Sequence, residues 1–296
     1  MNIQDLRKEM DAIDEQLLQL FAQRMQVSAL ISQYKKEHDL PIFDPIRERE
    51  KLNAVGKAAG IELSSHAKVL YSLLFELSRS YQSQLQSNHS QLSHHISHAI
   101  ENTGKLFPPR AALACFGQED HALISACERI FKEPQPFFFN SVDAVFSAVG
   151  QGMCQYGILP LEDANSSSVK SVYEGLLAHN FYIARSFRVQ NESGSRIRYV
   201  CISSRLEIYP GADRTSTMMI LPHKPGALYR VLSRLYVLGI NVTRLESRPI
   251  PDRDYDFRFY FDLDTSIYSD EFLRLMCELD DLCKEFGYLG SYSEVI

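Results

Sequence analysis

Nowhere does the sequence hold an apolar run approaching the roughly 18 residues that a membrane-spanning helix needs. It has no Cys-x-x-Cys pair and no excess of positive charge. The first absence leaves no stretch of these residues long and apolar enough to be read as a membrane-spanning helix. The second leaves Cys115, Cys127, Cys154, Cys201, Cys277 and Cys283 scattered, without the spacing of a zinc site or a disulfide framework. They are expected as reduced thiols, and the protein as cytoplasmic. The third, a net charge of -6, removes any bulk-charge reason to expect nucleic acid or a membrane surface as partner. The first residues, MNIQDLRKEMDAIDEQ, are acidic and amphipathic and lack the apolar segment of a signal peptide.

What is present divides along the chain. With 296 residues, 45% hydrophobic and 23% charged, the chain is sized for two or three domains. Residues 1–87 read as helix. Residues 88–110 are rich in Ser, His and Asn, end in Pro-Pro, and read as a linker. His89, His94, His95 and His98 fall there with no accompanying Cys or carboxylate cluster, so they read as a solvated tail of the third helix, and no metal site is expected. Residues 111–204 alternate strand-like and helix-like stretches. Residues 214–296 repeat that alternation in a tighter pattern.

In the first segment, Leu6, Met10, Ile13, Leu17, Leu20, Phe21, Leu30 and Tyr34 recur mostly at steps of three and four. That spacing predicts an amphipathic helix over 4–36, roughly 45–50 Å long. Two short partners cannot cover such a helix, which favours an intertwined dimer. A second helix is predicted from Asp44-Pro45, where Asp caps and Pro suits the first turn. A third is predicted from about Ser64-Ser65. Arg24 and Lys35 are eleven residues apart, about 20° off alignment, and so share a face. Arg7 is offset from Arg24 by about 260° and faces elsewhere. Arg47 and Glu48 sit in the first turn of helix two. Ser80 and Gln84, four apart, share a face of helix three.

These residues and spacings resemble the all-helical chorismate mutase family across residues 4 to about 86. The family pattern is an early Arg, an Arg and a Lys eleven apart, an Asp, an Arg-Glu pair, and a Ser and Gln four apart. Here it reads Arg7, Arg24, Lys35, Asp44, Arg47, Glu48, Ser80 and Gln84. The resemblance implies a domain-swapped dimer in which the early Arg reaches the partner's site. It also implies roles. Arg7, Arg24 and Arg47 would clamp the carboxylates of chorismate, Lys35 and Gln84 would donate to the breaking ether oxygen, Asp44 and Glu48 would take the ring hydroxyl, and Ser80 would help to hold a carboxylate. The rearrangement to prephenate is intramolecular. It needs conformational restraint and charge stabilisation, with no nucleophile and no cofactor.

Residues 215–295 read strand, helix, strand, strand, helix, strand, a ferredoxin-like order. The pieces are TSTMMIL, GALYRVLSRLYVLG, INVTRLESRPI, DFRFYFDL, SDEFLRLMCELDDLCKEFG and YLGSYSEV. Gly226-Ala227-Leu228 with Glu246-Ser247-Arg248-Pro249 resembles the ACT domain of phenylalanine-regulated enzymes. By that resemblance the two motifs enclose phenylalanine at a dimer interface, with helix N–H groups near Gly226 on its polar end.

The middle segment resembles the dehydratase domain of bifunctional chorismate mutase–prephenate dehydratases, with departures. The family's glycine-rich first turn is Gly117-Gln118-Glu119-Asp120-His121-Ala122-Leu123. Its Glu-Asn-Ser is Glu162-Asp163-Ala164, and its Thr-Arg-Phe, which carries the catalytic threonine, is Ile197-Arg198-Tyr199. Isoleucine keeps the β-branched shape and lacks the hydroxyl. The family domain has two α/β lobes. Here the chain passes from IARSFRVQ through NESGS directly into IRYVCIS, so one degenerate lobe is expected with the other absent.

The chain is thus expected to combine an all-α mutase domain, a small α/β dehydratase-like lobe and an α+β ACT domain. Its expected activity is chorismate mutase, with chorismate as substrate and phenylalanine as effector, in a homodimer or a dimer of dimers. Two other readings stand beside it: the full bifunctional enzyme making phenylpyruvate, and a non-catalytic phenylalanine sensor. The complete mutase set disfavours the sensor.

Overall fold

The structure is a computed structural model. It describes all residues except 1, 87–90, 120, 163–166, 191–195, 252, 254–255, 269 and 296. The chain divides into two compact units, Met1–Ser90 and Gln91–Ile296.

The first unit is three helices: α1 (Ile3–Glu37), α2 (Pro45–Ala58) and α3 (Gly60–Gln86). Asn2 and Asp5 form a capping box at the start of α1. Asp44 caps α2 by accepting from the Arg47 N–H at 3.0 Å, with Pro45 in the first turn. Helix three starts about four residues before Ser64-Ser65. Gly60 takes φ +73 immediately after Ala59, the C-cap of α2, so a single residue separates the two helices. The apolar stripe of α1 is largely uncovered within the chain: Met10, Leu17, Leu20 and Leu30 are more than half exposed. Among the described residues no helix is long and apolar enough to cross a membrane.

The second unit opens with α4 (Gln91–Asn102), which corrects the reading of 88–110 as a linker with a solvated tail. Ile96 and Ala99 are buried, and Leu92 and Ile100 pack beside them against a core that contains Leu275 and Leu279. The polar composition conceals a helical stripe at positions 92, 96, 99 and 100.

Next comes β1 (Arg110–Phe116), α5 (His121–Ile130), β2 (Glu133–Phe139), α6 (Val142–Gly150), β3 (Tyr156–Glu162), α7 (Ser167–His179), β4 (Tyr182–Gln190) and β5 (Arg196–Ser203). Strands β2, β1 and β3 are mutually parallel through two βαβ crossovers. Strand β5 runs antiparallel between β3 and β4. Pro134 and Pro136 lie on β2, an edge strand, where a missing N–H is tolerated.

The remainder is β6 (Arg214–Ile220), α8 (Ala227–Val237), β7 (Asn241–Pro249), β8 (Phe257–Asp264), α9 (Asp270–Leu282), β9 (Glu285–Tyr292) and β10 (Glu294–Val295). Strands β6 to β9 form an antiparallel sheet in the order β7-β8-β6-β9, the split βαβ arrangement. Helix α9 ends at Leu282, so Glu285-Phe286-Gly287, expected as helix, opens β9 instead.

The segment 214–296 is not self-contained. Strand β10 leaves its own sheet and pairs in parallel with β4. One core holds Val145, Phe146, Leu159 and Tyr173 of the first sheet's side together with Met218, Tyr260 and Leu289 of the second. The sheets approach closely: a Cβ on Gly290 would meet the Ile183 carbonyl oxygen at 2.4 Å. None of the six cysteines forms a disulfide, and Cys115, Cys127, Cys154 and Cys201 are buried.

Candidate functional site

In the helical unit, polar residues at four-residue steps line the seam between α1 and α3. Arg24, Ser28 and Ser32 come from α1, and Ser78 and Gln82 from α3. Arg24 donates to the Leu74 carbonyl at 2.9 Å and to the Ser78 hydroxyl. Gln82 donates to Ser28 Oγ at 2.8 Å, and Ser32 Oγ donates to the Gln82 carbonyl at 3.1 Å. Burial pulls the Arg24 guanidinium below its usual pKa, while Tyr71 and Glu48 nearby act in the opposite sense. Arg24 and Glu48 therefore share one electrostatic neighbourhood, although they come from different helices.

Lys35 points across the turn between α1 and α2 and donates to the Ile42 carbonyl at 2.5 Å. Asp44 is engaged at the α2 cap, and it and Arg47 are exposed. Glu48, half-buried on the first turn of α2, is ion-paired with Arg79 of α3. Ser80 is half-buried and lies about 200° around α3 from Ser78, so it does not join the α1–α3 seam. The side chain of Gln84 lies outside the described residues. Arg7 is exposed on α1. One chain thus gathers Arg24 with Glu48 and leaves Arg7 and Ser80 outside that cluster. Sequence reasoning missed Ser28, Ser32, Ser78, Arg79 and Gln82. Four-residue spacing on each helix was the available signal for Ser28 and Ser32 and for Ser78 and Gln82, and Arg79 had none.

In the second unit, three departures from the dehydratase pattern lie at one end of the first sheet. Gly117 follows β1 with φ +111 and donates its N–H to the Phe139 carbonyl at 2.9 Å. Glu162 ends β3, opposite Arg198 of β5. Ile197 precedes Arg198 and pairs with Val189 of β4. This is the carboxyl edge of the parallel strands, where α/β sheets place their ligands. The side chain of Glu162, and Asp120, Asp163 and Ala164, lie outside the described residues.

Arg198 is all but excluded from solvent. It pairs with Asp262 of β8 at 2.5 Å and donates to the Tyr292 hydroxyl at 2.7 Å. Strand β5 is therefore anchored to the second sheet at this end.

Gly226 takes φ +81 ahead of α8, a conformation that glycine adopts without penalty. Ile220 at the end of β6 and Arg248 on β7 both pair with Arg258 of β8. The register therefore sets Gly226-Ala227-Leu228 and Glu246-Ser247-Arg248-Pro249 at the same end of the four-stranded sheet. Glu246 accepts from Arg244 at 2.7 Å and from Arg248 at 2.6 Å. Arg244 also donates to the Leu161 carbonyl at 3.2 Å and to the Tyr173 hydroxyl at 3.1 Å.

The histidines of α4 have another setting. His95 packs edge-on to Tyr182, at 5.8 Å between ring centroids. With His98 it lines a cavity of about 630 Å³ that also borders Arg205 and Glu207. Among the described residues no three His, Cys, Asp or Glu gather as metal ligands do.

Comparison with known proteins agrees with this division. Residues 6–83 match the chorismate mutase type II family, and residues 120–195 match the prephenate dehydratase family. A three-helix unit matched by a mutase family, followed by an α/β fold matched by a dehydratase family, is the domain order of a two-activity class of protein. In this order of domains the chain is similar to the bifunctional chorismate mutase/prephenate dehydratases. The bifunctional protein of Aquifex aeolicus is 24% identical, over 99% of this chain and 98% of that one. That alignment runs over 367 positions, about seventy more than the 296 residues here. The prephenate dehydratase of Mycobacterium sp. strain KMS is 32% identical over 106 residues, and the matched stretch spans about a third of its length.

Among solved structures, the prephenate dehydratase of Arthrobacter aurescens in complex with L-Phe aligns with a TM-score of 0.53 at 15% identity, over 62% of this chain and 89% of that one. A quorum-quenching acylase, GqqA, aligns at 0.54 and 21%, over 61% and 94%. At these identities the likeness is one of fold, and the fold alone does not select an activity.

Proposed function

We propose that this protein is a chorismate mutase that rearranges chorismate to prephenate in phenylalanine biosynthesis, in the cytoplasm, and carries a phenylalanine-binding ACT domain. In this reading its dehydratase-like lobe has lost catalysis. The observation that carries the mutase reading is the shared neighbourhood of Arg24 and Glu48 in a unit that also holds Lys35, Asp44 and Arg47 at the family's spacing. The reaction requires only that a dicarboxylate be held compactly while charge develops on its ether oxygen. Arginine forks suit the carboxylates. Lys35 and Gln84 would serve the ether oxygen, Glu48 and Asp44 the ring hydroxyl, and Ser80 a carboxylate. The uncovered stripe of α1 supports a second copy lying along it, which would bring Arg7 to the partner's site. A homodimer, or a dimer of dimers built from it, follows from this reading.

Two observations support a silent dehydratase. Ile197 stands where the family has threonine, and β4 pairs directly with β5 from Gln190 and Arg196 onward. The dehydratase match ends at residue 195, between those strands. No room is left in the chain there for a second lobe to close over a substrate.

The bifunctional reading has its own support in the match over 120–195 and the full-length relative. One assay separates the two. Purified protein given chorismate at neutral pH is expected to accumulate prephenate. Enzymatic phenylpyruvate above the slow acid-promoted background would establish the bifunctional reading, and unconsumed chorismate would remove both.

The ACT assignment rests on the split βαβ arrangement and on the two motifs meeting at one end of the sheet. Gly226, Ala227 and Leu228 would face the polar end of phenylalanine, with Glu246 to Pro249 closing the pocket.

A further inference from the structure

The carboxylate of Glu48 has two cationic neighbours. Arg24 of α1 senses it electrostatically. Arg79 of α3 is in direct ion-pair contact with it, and the two side chains retain only 18% and 24% exposure. Arg79 is held from a second side by Phe43, whose ring centroid lies 5.3 Å from the guanidinium. Ser78 and Arg79 are consecutive, so they point about 100° apart on α3. Ser78 meets Arg24 of α1, and Arg79 meets Glu48 of α2. Two adjacent residues of α3 thus hold one polar side chain from each of the other helices.

We infer that Arg79 is a positioning residue of the mutase site, acting through Glu48. The inference rests on the mutase reading above and extends it to a residue outside the eight of the family pattern. A glutamate within electrostatic reach of Arg24 has two options: it can stand apart and accept the substrate hydroxyl, or it can turn toward Arg24 and offset the cation that a substrate carboxylate needs. The contact with Arg79 draws Glu48 toward α3 and settles that competition. A planar fork seated on Phe43 does so with less loss of side-chain freedom than a lysine. Removal of Arg79 is therefore expected to weaken substrate binding and turnover together, because Glu48 then competes for Arg24.

The test is a double-mutant cycle on the full-length protein. Wild type is assayed first. If it consumes no chorismate, the mutase reading fails, and the role of Arg79 falls with it. Given an active wild type, Arg79→Ala is expected to lower kcat/KM by about 10–100-fold with KM raised. Arg79→Lys is expected to recover part of the loss, and millimolar guanidinium part of the loss in Arg79→Ala. In a Glu48→Gln background, Arg79→Ala should have little further effect. An undiminished loss in that background would mean that Arg79 acts on the substrate itself, and would overturn the inference. Near-wild-type kinetics in Arg79→Ala would do the same while leaving the mutase reading intact. Arg79→Gln, close in size, serves in the same cycle if the alanine variant fails to fold.

Discussion

Arg198 of β5 and Asp262 of β8 form an ion pair at 2.5 Å, with side-chain exposures of 2% and 1%. Ser216 and Tyr292 complete the enclosure: the Ser216 hydroxyl donates to the second Asp262 oxygen, and the Tyr292 hydroxyl accepts from Arg198. The arginine comes from the strand that carries the altered dehydratase signature. The aspartate comes from the split βαβ sheet. The lobe is consequently fixed to that sheet rather than tethered beside it, and β10 pairing with β4 and the shared core repeat the connection.

A buried pair of this kind makes a definite prediction for stability. Loss of one partner leaves a charge uncompensated and costs about 3–5 kcal/mol, whereas replacement of both by apolar residues of similar volume costs far less. Arg198→Met or Asp262→Leu alone should lower the urea midpoint of the second unit, followed by circular dichroism, with the helical unit's transition unchanged. The double variant should recover most of the loss. A shift below about 1 kcal/mol in both single variants would show that the pair is not what joins the sheets.

The mutase site is open to mutation in two ways. Arg24→Ala or Lys35→Ala should lower turnover by roughly 10²–10³-fold, the size expected for removal of one charge-stabilising donor. Arg7→Ala should be damaging as well. If Arg7 serves the partner's site, mixed dimers of Arg7→Ala and Arg24→Ala chains contain one intact site and should regain part of the activity. Verified mixing without any regain would refute a shared site.

How much of this was legible beforehand depended on pattern strength. Helix α1 declares itself through apolar residues at steps of three and four, and Asp44-Pro45 marks α2 by cap chemistry. Helix α4 was misread because its Ser, His and Asn content suggested a linker, although Leu92, Ile96, Ala99 and Ile100 carry the helical period. The start of α3 depends on the left-handed backbone at Gly60, which composition does not reveal. Strand β10 is two residues long and exists only because β4 offers an edge, a tertiary cause with no local signature. In the candidate site, spacing singles out residues such as Arg24, Lys35 and Glu48 as candidates. Their partners across helices, such as Arg79 for Glu48 and Ser78 for Arg24, depend on helix packing and emerge only in three dimensions.

Phenylalanine provides the remaining test. The motif Glu246 to Pro249 lies on β7, and Glu246 is held between Arg244 and Arg248. Arg244 reaches onward to the Leu161 carbonyl, next to the end of β3, and to Tyr173, whose ring stacks on Tyr260 at 4.2 Å. A ligand at the motif would therefore bear on the lobe through Arg244. A ligand shifts activity only by its differential affinity for two states, and a lobe fixed by Arg198, β10 and a common core has little freedom to supply a second state. Phenylalanine is expected to bind, with a change in mutase rate of about tenfold or less, near 1.4 kcal/mol of coupling. Calorimetry addresses the first half, and no heat at millimolar ligand would refute binding. Titration of the mutase assay addresses the second, and complete inhibition would show that the fixed lobe still transmits a large conformational signal. An Arg244→Ala variant locates the route: it should abolish the small rate effect, and an unchanged effect would place the coupling elsewhere.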